Sequence, residues 1–287
     1  MKIAIISTAR NGAVDQVMKD IVAQLPDIEV DFFYPFDIED DEFEEYDLVH
    51  WAWAGAKQWK ELAVPYTGTI WGIQLDNWEH WKNRLNESSF RKIVCDDDST
   101  IMLLHQQDYT NITQIPLTRN FSDYNLLPYP EEEFTVGCFG NDYVSKRFAV
   151  TIKAVNLAKV KCWAMVFPPE RQVTYLCDPI KDVYSKCHVL VHAAKKDTNS
   201  LPAMEMLACG RPIISVINCG IRRVLQEGIN GEFFDGTIED LAKKIKMIEG
   251  DYGRYWKGAQ DTYKSLPDIK VVAESYRRVW EDAISRG

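Results

Sequence analysis

The sequence predicts an α/β protein made of two parallel-sheet domains. Short apolar runs alternate with stretches in which apolar residues recur every three or four positions, and a segment rich in proline and glutamate divides this alternation into two series. Strands buried in a parallel sheet are typically continuous apolar runs, whereas the helices that cover them show the 3.6-residue period. The length of 287 residues also exceeds the usual size of a single domain.

The first series opens with the strand KIAIIS (2–7), a glycine-containing turn and a helix in which Val14, Val17, Met18 and Ile21 share one face. Five later apolar runs predict the remaining strands of this domain, which we place at residues 1–127. These runs are IEVDFFY, YDLVHWAWA, GTIWGIQ, KIVCD and ITQIPL.

The linker is predicted in SDYNLLPYPEEEF (122–134), and the second series begins at FTVGCFG. It continues through the helix KRFAVTIKAVNLAK, the strands KCWAMVF and CHVLVHAA, the helix PAMEMLACG and the strand RPIISVI, followed by a turn in QEGINGEFF and the helix TIEDLAKKIKMIEG. We assign residues 128–268 to this second domain and 269–287 to a closing amphipathic helix.

Composition argues against a general nucleic-acid binder. The formal charge is -10, from 33 basic and 43 acidic residues, and nonspecific binding to nucleic acid depends on cationic side chains that neutralise phosphates. The seven cysteines form no C-x-x-C pair, and the N-terminal apolar run is too short for a signal peptide or a membrane span. We therefore expect a soluble, cytoplasmic protein with reduced cysteines and no stable membrane span.

The stretch DTNSLPAMEMLACGRPII (197–214) places two carboxylates, Asp197 and Glu205, around a Leu-Pro sequence. Pro202 suits the first turn of a helix, and Thr198, Asn199 and Ser200 are candidate caps. Glu205 is then expected early in the helix and Asp197 in the preceding loop. Open α/β sheets bind ligands at the carboxyl ends of their strands, where helix N-termini offer N–H groups to phosphate. A carboxylate there accepts hydrogen bonds from sugar hydroxyls.

The same stretch resembles the E-x7-E motif of retaining GT-B glycosyltransferases of the family-4 type, E-G-F-G-L-P-x-x-E-A-M-A-C-G-x-P-V-I. It keeps the spacing, the Leu-Pro, the second acid and the Ala-Cys-Gly. Downstream, CGIRRVLQEGINGEFF is similar to G-G-I-P-E-I-V-x-D-G-x-N-G-L-L-V, and upstream VGCFGNDYVSKRFAVTIKAV parallels G-R-L-x-x-x-K-G with its helix. The resemblance covers the chain from about Phe134 to the end and is only topological before it.

The resemblance implies a GT-B fold, with two Rossmann-like domains facing a cleft and the last helix returning to the N-terminal domain. It implies transfer of a sugar from a nucleoside diphosphate sugar with retention of configuration, without a metal or another cofactor. The acceptor is left open among a saccharide, a lipid-linked sugar, a protein and a modified DNA base, and so is the oligomeric state. A protein that binds a nucleotide sugar without catalysis is a further alternative, because two motif residues differ.

Residue roles follow from the resemblance position by position. Glu205 would bind the ribose, Asp197 the donor sugar, and Lys146 the diphosphate. The backbone of Thr198, Asn199, Ser200 and Leu201 would lie against the sugar and diphosphate. Asp197 stands where the family has glutamate, and Asn141 stands where it has the diphosphate arginine. Arg147, at the family's usual glycine, is a candidate to restore that charge.

Candidates in the N-terminal domain each have a structural alternative. Gly12 matches the loop that closes over the donor, His50 matches a cleft histidine at a strand end, and His80 is the nearest counterpart of a second family histidine. Trp51 and Trp78 belong to a tryptophan-rich stretch from which rings can stack on sugars or pack in the core. For His50 an ordinary buried histidine is the alternative. We interpret CDDDST (95–100) as a turn or helix cap rather than a metal site, and Cys187, His188 and His192 as structural.

Overall fold

The computed structural model describes most of the chain, and its residues separate into two compact units. The units are Met1–Asn120 with Pro267–Gly287, and Phe121–Leu266. The described residues are 1–7, 10, 12–34, 43–54, 62, 64–71, 81, 85, 90–124, 126–141, 146–167, 184–194, 200–217 and 220–285. The second unit therefore begins a few residues before the boundary at 127 that the sequence suggests, and the chain re-enters the first unit near 268.

The first unit contains a six-stranded sheet in which every pairing is parallel. Its order is β2-β1-β3-β4-β5-β6. The strands are β1 (Lys2–Ile6), β2 (Glu29–Phe33), β3 (Leu48–Trp51), β4 (Tyr66–Ile70), β5 (Lys92–Cys95) and β6 (Ile112–Gln114). The central strands β3 and β4 are buried along their whole length, as expected for a sheet covered on both faces.

Three helices of the first unit are described, α1 (Ala13–Val22), α2 (Asp98–His105) and α7 (Ile269–Ser285). Helix α7 contacts α1, β3 and β4, and buries the aromatic side chains of Tyr276 and Trp280. The guanidinium of Arg277 donates two hydrogen bonds of 2.7 Å to the carboxylate of Asp27. The expected return of the C-terminal helix to the N-terminal domain is confirmed.

The second unit contains a five-stranded parallel sheet of order β11-β10-β9-β7-β8. Its strands are β7 (Thr135–Asn141), β8 (Lys161–Phe167), β9 (Val189–His192), β10 (Ile213–Val216) and β11 (Gly231–Phe234). Its described helices are α3 (Phe148–Ala158), α4 (Leu201–Ala208), α5 (Ile238–Gly250) and α6 (Tyr252–Thr262). Helices α3 and α5 pack together, and so do α4 and α6.

The structure corrects the sequence interpretation in three elements. Residues Gly231–Phe234, predicted as part of a turn, form the edge strand β11. Helix α6 was not predicted, because its sequence YGRYWKGAQDT contains two glycines and lacks large aliphatic residues. Helix α2 was not predicted either, although the proposed cap is confirmed, since the carboxylate of Asp97 accepts a hydrogen bond of 2.8 Å from the Thr100 N–H.

Gly231 marks a close approach of two backbones in the second sheet. A Cβ built at this position would lie 2.0 Å from the carbonyl oxygen of Ile213 on the neighbouring strand. We expect Gly231→Ala to lower the free energy of unfolding of this unit by about 2 kcal/mol, because backbone must move to admit the methyl group. Gly253 of α6 is the matched control, since a Cβ there meets nothing within 4 Å. Gly253→Ala should raise stability by roughly 0.5–1 kcal/mol, and equal effects of the two variants in urea unfolding would contradict this account.

Candidate functional site

At the carboxyl edge of the second sheet, the chain leaves two neighbouring strands toward opposite sides of the sheet. From β7 the chain passes through α3 to β8 on one side, and from β9 it passes through α4 to β10 on the other. Strands β7 and β9 are neighbours, so the starts of α3 and α4 flank one crevice at this edge. Such a reversal of strand order is where open α/β sheets bind ligands.

Helix α4 begins as the sequence predicts. Ser200 is its N-cap, and the Ser200 hydroxyl oxygen accepts a hydrogen bond of 3.3 Å from the Ala203 N–H. Pro202 occupies the first turn, where no intrahelical donor is needed. Leu201 opens the helix and is partly buried. Three predicted site residues of the preceding loop lie outside the described residues: Asp197, Thr198 and Asn199.

Glu205 is the fifth residue of α4 and is buried, with 1% of the residue exposed. The hydroxyl of Tyr124 donates a hydrogen bond of 2.8 Å to its Oε1, and the hydroxyl of Tyr184 donates one of 2.6 Å to its Oε2. Neither tyrosine is among the site residues predicted from the sequence. They lie 81 and 21 positions from Glu205 along the chain, and no local pattern connects them to it.

Strand β9 ends at His192, which also lies beside the start of α4. Its Nδ1 is 3.2 Å from the Ser200 hydroxyl oxygen, and the residue is buried. His188, before the same strand, accepts a hydrogen bond from the Thr135 N–H at Nδ1. Burial lowers the pKa of His188 to about 4. Within the described part of the chain, no group of three or more His, Cys, Asp or Glu side chains is arranged to hold a metal ion.

Lys146 and Arg147 lie at the start of α3, on the other side of the crevice. Arg147 adopts a left-handed backbone conformation, with φ of 55°. This conformation explains why glycine suits the position. The Arg147 guanidinium donates a hydrogen bond of 2.6 Å to the carbonyl of Gly236, which follows β11. Lys146 immediately precedes this residue and is partly buried.

In the first unit, His50 lies inside the core. Its Nδ1 is 2.8 Å from the Thr67 hydroxyl and its Nε2 is 3.1 Å from the Thr69 hydroxyl. Its ring packs edge-on against Tyr276 and Trp280 of α7. Complete burial lowers the pKa of His50 to about 3, so the ring is neutral. The alternatives for His50 were a histidine that lines the cleft and an ordinary buried histidine. This environment favours the second.

The remaining candidates of the first unit are Trp51, Gly12, Trp78 and His80. Trp51 is 4% exposed and belongs to the hydrophobic core, which favours the packing alternative. Gly12 is the N-cap of α1 in an extended conformation, and its carbonyl accepts a hydrogen bond from the Gln16 N–H. Trp78 and His80 lie outside the described residues.

Comparison with known proteins relates this fold to glycosyltransferases. Residues 169–264 match the family Glycosyl transferases group 1. The structure of Anabaena HepE in complex with UDP and glucose is similar, with a TM-score of 0.75 and 14% identity over 97% of this chain and 98% of that chain. Sucrose-phosphate synthase from Thermosynechococcus elongatus gives a TM-score of 0.75 at 14% identity over 100% of both chains. A glycosyltransferase from Rickettsia africae gives 0.65 at 12% identity over 100% of this chain and 99% of that chain.

The fold class is GT-B. The family match lies in the second unit and includes α4 and Glu205, and together with the fold it indicates a glycosyltransferase. No curated protein matches the sequence. Among the residues that the structure describes, every helix is too short or too polar to cross a membrane.

The buried His50 makes the stability of the first unit depend on pH. Its pKa of about 3 in the folded chain lies below the ordinary value of 6.5, so below pH 6.5 the unfolded chain binds a proton that the folded chain does not. Stability is therefore lost as pH falls from 6.5 toward 3. Between pH 7.5 and 5.5 this histidine should cost roughly 1.4 kcal/mol in the free energy of unfolding.

Urea unfolding of His50→Gln at the two pH values tests this expectation. The variant should lose about 1.4 kcal/mol less than the wild type on acidification. His105→Gln, at an exposed position of α2, is the matched control. Equal losses in the wild type and in His50→Gln would show that His50 does not govern the acid sensitivity.

Proposed function

We propose that this protein transfers a sugar from a nucleoside diphosphate sugar to an acceptor with retention of configuration. The observation that carries the proposal is the buried Glu205 on α4, a helix that begins where the strand order of the second sheet reverses and that lies within the segment matching Glycosyl transferases group 1. A carboxylate in that position is suited to accept hydrogen bonds from the ribose hydroxyls. UDP is the first donor nucleotide to test, because Anabaena HepE binds it.

In this proposal the diphosphate lies against the starts of α3 and α4. A helix N-terminus carries a partial positive charge, which favours a phosphate group. Lys146 adds a cationic side chain at the start of α3. When the bond between sugar and phosphate breaks, negative charge develops on the departing diphosphate, and these groups stabilise it. Asp197 is proposed to contact the transferred sugar.

We also propose that transfer requires no metal ion, since Lys146 and the two helix N-termini meet the charge of the diphosphate. Initial rates of donor hydrolysis and of transfer to simple saccharides should be measured with UDP-, GDP- and ADP-sugars. The rate with the preferred donor should be the same in EDTA, within error, as with added manganese. Complete loss in EDTA with rescue by manganese would contradict the metal-free mechanism. Binding of a donor without any turnover would instead support a non-catalytic binding protein.

Neutralising Glu205 and neutralising Asp197 should affect UDP binding and turnover differently. Glu205→Gln should weaken binding of free UDP by about 1.5–3 kcal/mol, as expected for loss of a charge-assisted hydrogen bond. Asp197→Asn should leave the affinity for free UDP nearly unchanged and lower turnover, because its proposed partner belongs to the transferred sugar. Calorimetric titration with UDP and with the intact donor, alongside initial rates, measures both effects.

Glu232 supplies the matched control for Glu205. It is also a buried carboxylate of the second unit, and it accepts hydrogen bonds from the Tyr255 hydroxyl at 2.5 Å and from Lys244 at 2.7 Å. Glu232→Gln should reduce the melting temperature without changing the affinity for UDP. If Glu205→Gln behaves in the same way, Glu205 is a structural acid and its proposed role at the ribose is wrong.

A further inference from the structure

Two phenol groups hold the carboxylate of Glu205 at its two ends. Tyr124 donates to Oε1 and Tyr184 donates to Oε2, so the two hydrogen bonds fix the plane of the carboxylate as well as its position. Tyr184 is fully buried and Tyr124 is 7% exposed. Hydrogen bonds shielded from water are strong and directional. Both donors to Glu205 therefore lie outside the E-x7-E motif.

The segment that carries Tyr124 is attached to α4 and to the end of α6 at several points. The Leu127 N–H donates a hydrogen bond of 2.8 Å to the carbonyl of Cys209, directly after α4. The Tyr263 hydroxyl donates one of 3.3 Å to the carbonyl of Phe121. The rings of Phe121 and Tyr124 pack edge-on, with centroids 5.7 Å apart. Tyr124 is thus held on the same scaffold as Glu205.

Tyr184 belongs to a different segment of the chain, which also precedes Glu205. It opens a short 3₁₀ turn, Tyr184–Lys186, that leads into β9. Its ring packs edge-on against Phe139 of β7, with centroids 6.3 Å apart. Strands β7 and β9 border the crevice of the second sheet. The two phenols therefore reach Glu205 from a strand-connected turn and from the segment that begins the unit.

We propose that Tyr124 and Tyr184 are positioning residues that hold the Glu205 carboxylate in the orientation required by the two ribose hydroxyls of a nucleoside diphosphate. This inference rests on the proposed function. A free glutamate side chain populates many rotamers, and a ligand that must select one loses affinity. The tyrosines remove that cost before the ligand arrives. A carboxylate oxygen can accept hydrogen bonds from more than one donor, so a bond to a phenol does not prevent a bond to a ribose hydroxyl.

The test compares UDP with 2′,3′-dideoxy-UDP, which lacks both ribose hydroxyls, in wild type, Tyr124→Phe and Tyr184→Phe. Each variant removes one oxygen atom and keeps the ring. Calorimetry gives the ratio of the two dissociation constants, which reports on the ribose contact and is independent of the fraction of folded protein. We expect the wild type to prefer UDP by roughly 10- to 100-fold. Each variant should narrow this preference by about 5-fold, mainly through weaker binding of UDP.

Tyr263→Phe is the matched control, because it removes a phenol bond to the same segment without touching Glu205. It should keep the wild-type preference. An unchanged preference in both Tyr124→Phe and Tyr184→Phe, in a wild type that discriminates, would overturn the inference and leave the proposed function standing. An equal loss of affinity for UDP and its dideoxy analogue would also overturn it, since that is the signature of a structural role. A wild type that binds no UDP, GDP or ADP would overturn the proposed function, and the inference with it.

Discussion

The burial of one carboxylate, that of Glu205, constrains the arrangement of the second unit. Removing a carboxylate from water costs several kcal/mol unless donors replace the water. Glu205 receives those donors from Tyr124 and Tyr184. The requirement fixes where the segment after residue 120 must lie, because Tyr124 reaches α4 only if this segment runs beside it. The hydrogen bond from Leu127 to Cys209 completes that arrangement.

A second buried polar residue, His50, shows the opposite solution. The first unit keeps this ring neutral and surrounds it with two threonine hydroxyls and the aromatic side chains of α7. A neutral ring costs less to bury than a charged group, and this one contributes to packing between the sheet and the C-terminal helix. These different environments distinguish Glu205 from His50 as candidate site residues. Glu205 lies on the helix that begins at the reversal point of the second sheet, whereas His50 lies on a fully buried strand of the first sheet.

Features of the fold that depend on a few neighbouring residues could be predicted from the sequence. The alternation of apolar runs and helical spacing gave two parallel α/β units, and Pro202 with Ser200 marked the start of α4, because these signals act within a few residues. Strand β11 was missed since four residues that begin with glycine resemble a turn. Tyr124 and Tyr184 were missed for a different reason. Their role depends on contacts that only the folded chain creates.

Arg147 shows how an expectation from resemblance changes once the backbone is known. The residue occupies a left-handed conformation that costs a non-glycine residue roughly 1–2 kcal/mol. Its hydrogen bond to the carbonyl of Gly236 offsets part of that cost and directs the guanidinium toward the turn between β11 and α5. A guanidinium that braces this turn contributes less charge at the crevice than one that points into it. Under the proposed function, Lys146 and the two helix starts would then carry a larger share of the stabilisation of the diphosphate than Arg147.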